Sequence, residues 1–131
     1  MKITADTNVL LRACVRDDPA QFKRAAKLLR EAELVAVSAA CLCEFVWVLK
    51  RGYKFADVDV ARAVRLLVSS HNVACNRPLV DAGLTMLEQG GDFADGVIAF
   101  DGFALGATEF VSFDKDAVAL LKSQQKAARL P

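Results

Sequence analysis

Leu34-Val35-Ala36-Val37 puts apolar side chains on both sides of an extended chain. Successive side chains of a strand point to opposite faces, so a strand here must be covered on both. Strands of this kind belong to parallel sheets, whose crossover helices cover the two faces. Ile3 to Ala5, Val73-Ala74-Cys75 and the β-rich stretch Thr108 to Phe113 are three more short strand candidates. This one feature restricts the chain to an α/β organisation.

Helices fill the intervals. Asp18-Pro19 opens one, with Asp as N-cap and Pro at the first helical position. Phe22, Ala25, Ala26 and Leu29 then follow the spacing of a single packed face. Ala39 to Lys50 is almost wholly apolar and long enough for a buried helix, stopped near Gly52. Ala56 to Val68 is amphipathic, with Val60, Val64 and Leu67 on one face. Pro78 to Gln89 reads as a helix closed by Gly90-Gly91. Phe93 to Leu105 is a further apolar helix, and a last one starts near Lys115. The predicted order is β, α, β, α, α, β, α, α, β, α: a three-layer αβα sandwich on a short parallel sheet. In such sheets ligands bind at the carboxyl ends of the strands.

A chain of 131 residues is the size of one domain, spanning 1–131. Its hydrophobic share of 54% excludes disorder. That excess does not predict a membrane span. The longest apolar stretch, Leu34 to Leu49, contains Ser38 and Glu44 and is shorter than the ~20 residues a span needs. Asp6 stands where a signal peptide would carry its apolar stretch. Cys14, Cys41, Cys43 and Cys75 form no C-x-x-C pair, and a single His is available to complete a zinc site. They read as small buried apolar residues of a cytoplasmic protein. A net charge of +1 gives no broad positive field, so nucleic-acid binding needs local support.

Four acids occupy positions that core building does not explain. Asp6 directly follows the first strand, and Asp114 the last, in Ser112-Phe113-Asp114-Lys115-Asp116. Glu44 is the only charge between Leu34 and Leu49. Asp95 lies in the first turn of an apolar helix, in Asp92-Phe93-Ala94-Asp95-Gly96-Val97-Ile98. Each has a plain reading as well. Asp6 or Asp114 can cap the helix that follows, and Asp95 suits the third position of a helix capped by Asp92. Glu44 is harder to explain so, because a charged carboxylate buried without a partner costs several kcal/mol. No Lys or Arg lies three or four positions from it. Four carboxylates converging on one cleft would repel one another unless a cation sat among them. Hard oxygen ligands suit Mg²⁺ or Mn²⁺ rather than zinc. A metal held in this way is the usual machinery of phosphodiester hydrolysis.

Asp6-Thr7-Asn8, Glu44, Asp92-Phe93-Ala94-Asp95 with Ile98, and Ser112-Phe113-Asp114 resemble the acidic motifs of the PIN-domain nucleases. The order of elements extends that resemblance over the whole chain. The nearest likeness is to the VapC-type toxins of toxin–antitoxin pairs, which are stand-alone PIN domains. The resemblance implies a Mg²⁺- or Mn²⁺-dependent endoribonuclease that acts on an RNA substrate, forms a homodimer and is inhibited by a cognate antitoxin protein. It assigns Asp6, Glu44, Asp95 and Asp114 as the four metal-holding catalytic acids, with Asn8 and Ser112 steadying them. Asp116 competes with Asp114 for the fourth role; Asp114 lies nearer the strand end.

Lys23, Arg24, Lys27 and Arg30, with Arg12 and Arg16 nearby, are suited to an RNA path but more simply form the solvated face of a helix. His71 reads as a helix-end or loop residue, and Phe45 and Trp47 as core or dimer contacts. Two other classes compete. A receiver-like phospho-acceptor domain also gathers acids at strand ends, but wants adjacent acids after the first strand and an Asp after a middle one. Here Asp6 is followed by Thr7-Asn8, and the middle strands by Ser38 and Asn76. The other rival is a non-catalytic module whose acids bind a basic partner.

Overall fold

Lys2–Thr4 (β1), Leu34–Ala36 (β2) and Val73–Ala74 (β3) pair in parallel, in the order β1-β2-β3, in the computed structural model, which describes residues 1–131. Ile3 lies opposite Val35, and Val35 opposite Val73. Val35 is completely buried, as expected of the central strand in a sheet covered on both faces. The chain divides into two compact units, Met1–Asn76 and Arg77–Pro131.

In the first unit, the strands are linked by Thr7–Cys14 (α1), Pro19–Glu31 (α2), Ala39–Arg51 (α3) and Asp57–Val68 (α4). Asp18 starts α2 as its sequence predicts, its carboxylate accepting the Gln21 N–H at 3.1 Å with Pro19 at the first position. Ser38 starts α3 likewise, its hydroxyl accepting the Cys41 N–H at 3.1 Å. Thr7, Leu10 and Leu11 form the buried stripe of α1, which packs on α2 and α3. Val60, Ala61, Val64 and Val68 form that of α4. Helix α1, starting at Thr7 directly after Asp6, is additional to the predicted order, which has a single helix between the first two strands.

The second unit holds Arg77–Glu88 (α5), Phe93–Ala104 (α6), Phe110–Val111 (β4), Lys115–Ser123 (α7) and Ala128–Arg129 (β5). Strands β4 and β5 pair in parallel, with Phe110 opposite Ala128. Gly90, at φ +87°, ends α5 in the left-handed conformation that favours glycine. Gly83 lets the Phe93 ring lie against α5, since a Cβ there would stand 2.5 Å from Phe93 Cε2. Met86, Ala99, Ala117, Val118, Leu121 and Ala128 form a core around which α7 and β5 close.

The α/β organisation on short parallel strands is as predicted. The strands differ in two ways. The strands form a three-stranded and a two-stranded sheet, and β5 has no counterpart in the sequence reading. Ala128-Arg129 offers little strand propensity of its own, so it extends only because β4 supplies a partner.

Candidate metal centre

Asp6 is delivered by the end of β1. The Ala5 N–H bonds to the Ala36 carbonyl at 3.1 Å, and the Asp6 carbonyl accepts the Val9 N–H at 3.0 Å. Asp6 thus holds the N-cap position of α1, yet its side chain makes no capping hydrogen bond. Asp18, Ser38, Asp92 and Asp114 all cap with their side chains. The plain reading of Asp6 as a cap therefore fails, and its carboxylate is exposed.

Glu44 lies on α3 and is exposed as well. This corrects the argument from burial. The helical period turns Ala40, Glu44, Trp47 and Arg51 to solvent and Cys41, Leu42, Phe45, Val46 and Leu49 to the core. Glu44 needs no partner to offset desolvation, so its solitude in an apolar stretch carries less weight than the sequence suggested. Phe45 is core, as expected, whereas Trp47 is 61% exposed.

Asp6 and Glu44 are nevertheless related through a third residue. The Thr7 hydroxyl donates to Cys41 Sγ at 3.7 Å, a buried contact between the first turns of α1 and α3. Burial pushes the Cys41 thiol up; the Thr7 hydrogen bond opposes this, and the Asp6 and Glu44 carboxylates push it further up. Both acids therefore act on the same thiol. Sequence reasoning passed over Thr7 and treated Cys41 only as a small apolar residue. Asn8 lines a groove between α1 and α2 with Val9, Gln21 and Leu28.

The second unit gathers a second acidic set. Asp95 is the third residue of α6 and is half-buried. Burial first, then the charges of Asp92 and Asp114, hold its carboxyl above the ordinary value of 3.8. No cation offsets these effects. Asp92 caps α6 through the Ala94 N–H at 3.0 Å. Asp114 caps α7: its Oδ1 accepts from the N–H groups of Asp116 and Ala117 at 3.0 and 3.1 Å. The capping readings of Asp92 and Asp114 thus hold, and in Asp114 a single oxygen does the capping. Ser112 Oγ accepts the Asp114 N–H at 2.9 Å. Asp116 is exposed and is not among the charges that raise Asp95.

Nowhere do three or more His, Cys, Asp or Glu side chains form a set that could hold a metal ion by themselves. The donors are nonetheless of the right kind. Asp6, Glu44, Asp92, Asp95 and Asp114 offer carboxylate oxygens, and Asp95 sits among like charges that a hard cation would relieve. The basic residues of α2 do not enter either set. Lys23, Arg24, Lys27 and Arg30 are exposed, Arg12 pairs with Asp17 at 3.0 Å, and Arg16 lies over the Phe22 ring at 4.4 Å. His71 is exposed in the turn between α4 and β3.

The sequence profile of the PIN domain matches residues 3–122, running through both units. The chain belongs to the PIN domain family. PIN domains are typically nucleases, hydrolases that bind nucleic-acid substrates and generally use divalent metal ions. No curated protein matches the chain as a closer relative. No helix of this PIN domain is long and apolar enough to cross a membrane.

Proposed function

We propose that this PIN domain is a Mg²⁺- or Mn²⁺-dependent endoribonuclease, and that it serves as the toxin of a toxin–antitoxin pair. Asp6, Glu44, Asp95 and Asp114 are its metal-holding catalytic acids, and residues 1–131 act as a single nuclease domain. The observation that carries this reading is Asp95. A half-buried carboxylate at a helix start, held above its ordinary value by burial and then by the charges of Asp92 and Asp114, is well suited to a metal. Asp6 adds support, because it occupies a cap position without capping.

When bound, the metal lowers the pKa of the attacking water and offsets charge growing on the scissile phosphate. The remaining work falls to the chain. Asp95 and Asp6 present carboxylate oxygens from the first turn of α6 and the end of β1. Asp114 has one oxygen fixed by the α7 cap, which aims the other, and Ser112 fixes its backbone. No side chain is a convincing nucleophile: burial pushes the Cys14 and Cys41 thiols up, away from thiolate. With the acids unscreened, phosphate would be repelled, so activity depends on the metal.

The homodimer belongs to this reading, supported by the exposed apolar side chains Trp47, Ile98, Leu105 and Phe113. So do the cognate antitoxin and a cytoplasmic setting, both drawn from the likeness to VapC-type toxins. The test is an RNA digest with end-group analysis. Products with a 5′-phosphate and a 3′-hydroxyl, formed with Mg²⁺ or Mn²⁺ and lost in chelator, are expected. Products with 2′,3′-cyclic phosphate, or cleavage in excess chelator, would overturn the mechanism. Binding without cleavage under any metal would favour the non-catalytic module.

A further inference from the structure

Thr7 is the only polar residue buried in the whole chain, at 4% exposure. Val would fill the same space without a hydroxyl to satisfy, so burial alone does not call for Thr. The hydroxyl spends its one proton on Cys41 Sγ, 34 residues away. The two ends of this contact flank the two acids of the first unit. Thr7 directly follows Asp6, and Cys41 precedes Glu44 by one helical turn. Each end is tied down on its own element. Thr7 opens α1, and the Cys41 N–H is held by the Ser38 cap of α3. Asp6 has no capping hydrogen bond of its own to fix it at the start of α1.

We propose that Thr7 and Cys41 are positioning residues: their buried hydrogen bond locks the first turn of α1 to that of α3 and so sets the spacing of Asp6 and Glu44. The proposal rests on the reading of these acids as metal-holding. Sulfur is a long, soft acceptor, so the contact fixes the two turns at a separation that a shorter oxygen acceptor would not reproduce. Thr7 holds Asp6 in place from within the fold, as the outer partners of metal ligands do.

The test is Mn²⁺ titration calorimetry on the whole protein, with thermal melts alongside. Thr7→Val keeps the volume and removes the donor; it is expected to weaken Mn²⁺ binding about tenfold, the lower end of what losing an outer partner costs. Thr7→Ser keeps the donor and is expected to stay close to the parent. Cys41→Ala, which removes the acceptor, is expected to match Thr7→Val, and the double variant to be no weaker than either. That pattern separates positioning from a general loss of stability, which Thr7→Ser, with its missing methyl, would share. Should Thr7→Val fail to fold, Cys41→Ala carries the comparison. Parental affinity in both Thr7→Val and Cys41→Ala, with Asp6→Asn impaired, would overturn the clasp and leave the acid site standing. Parental affinity in Asp6→Asn would remove the metal-holding reading, and the clasp with it.

Discussion

At the scale of single residues, position and role come apart. Asp6 and Asp114 occupy equivalent places, each after a strand and before a helix, yet Asp114 caps and Asp6 does not. Their alanine variants should differ in the metal-free protein. Asp114→Ala is expected to cost about 1 kcal/mol, the usual value of an N-cap. Asp6→Ala is expected to cost clearly less, and chemical denaturation compares them directly. Asp95 makes a prediction of opposite sign. Its carboxyl is raised in the folded state, so the folded protein holds a proton that the unfolded chain has released. Its contribution to stability is therefore present at low pH and is lost as pH rises from about 3.8 through the raised value. Asp95→Asn should remove that fall and leave the metal-free protein at neutral pH as stable as the parent, or more so. A marked drop in melting temperature for Asp95→Asn would mean that the carboxylate is structural. The sequence could not show Thr7 as a partner of Cys41, because a contact over 34 residues leaves no local trace.

Elements were legible where their signals are local. Asp18-Pro19, Ser38 and Asp92 start helices at the positions their chemistry favours, and Gly90 ends one. The Leu34 run became the central strand because nothing else accommodates apolar side chains on both faces. Glu44 shows where such reading fails. The apolar stretch from Ala39 to Lys50 reads as a buried helix, but one stripe of α3 faces solvent and Glu44 lies on it. Strand β5 was illegible because a two-residue strand is made by its neighbour. The α5–α6 contact is the tightest test of element packing. Gly83→Ala would drive a methyl into the fully enclosed Phe93 ring and is expected to cost about 1–3 kcal/mol, the range for overpacking. Since Phe93 follows the Asp92 cap directly, the same variant should also shift the start of α6 and weaken metal binding. An unchanged melting temperature would show that the ring can yield.

For the whole molecule, family membership accounts for a nuclease, and the acids account for how it would work. Trp47, Leu105 and Phe113 stand 61, 89 and 85% exposed, apolar side chains that a second copy would cover in the proposed dimer. Light scattering at micromolar concentration should therefore give the mass of a dimer; a stable, soluble monomer would contradict it. In activity, Asp6→Ala, Glu44→Ala and Asp95→Ala should each lose most RNA cleavage. The central claim is that Asp6 and Asp95 hold divalent metal. Mn²⁺ titration calorimetry of the parent, Asp6→Asn and Asp95→Asn tests it most directly. Mn²⁺ binding by the parent, weakened in both variants, is the predicted result; parental affinity in both variants would contradict it.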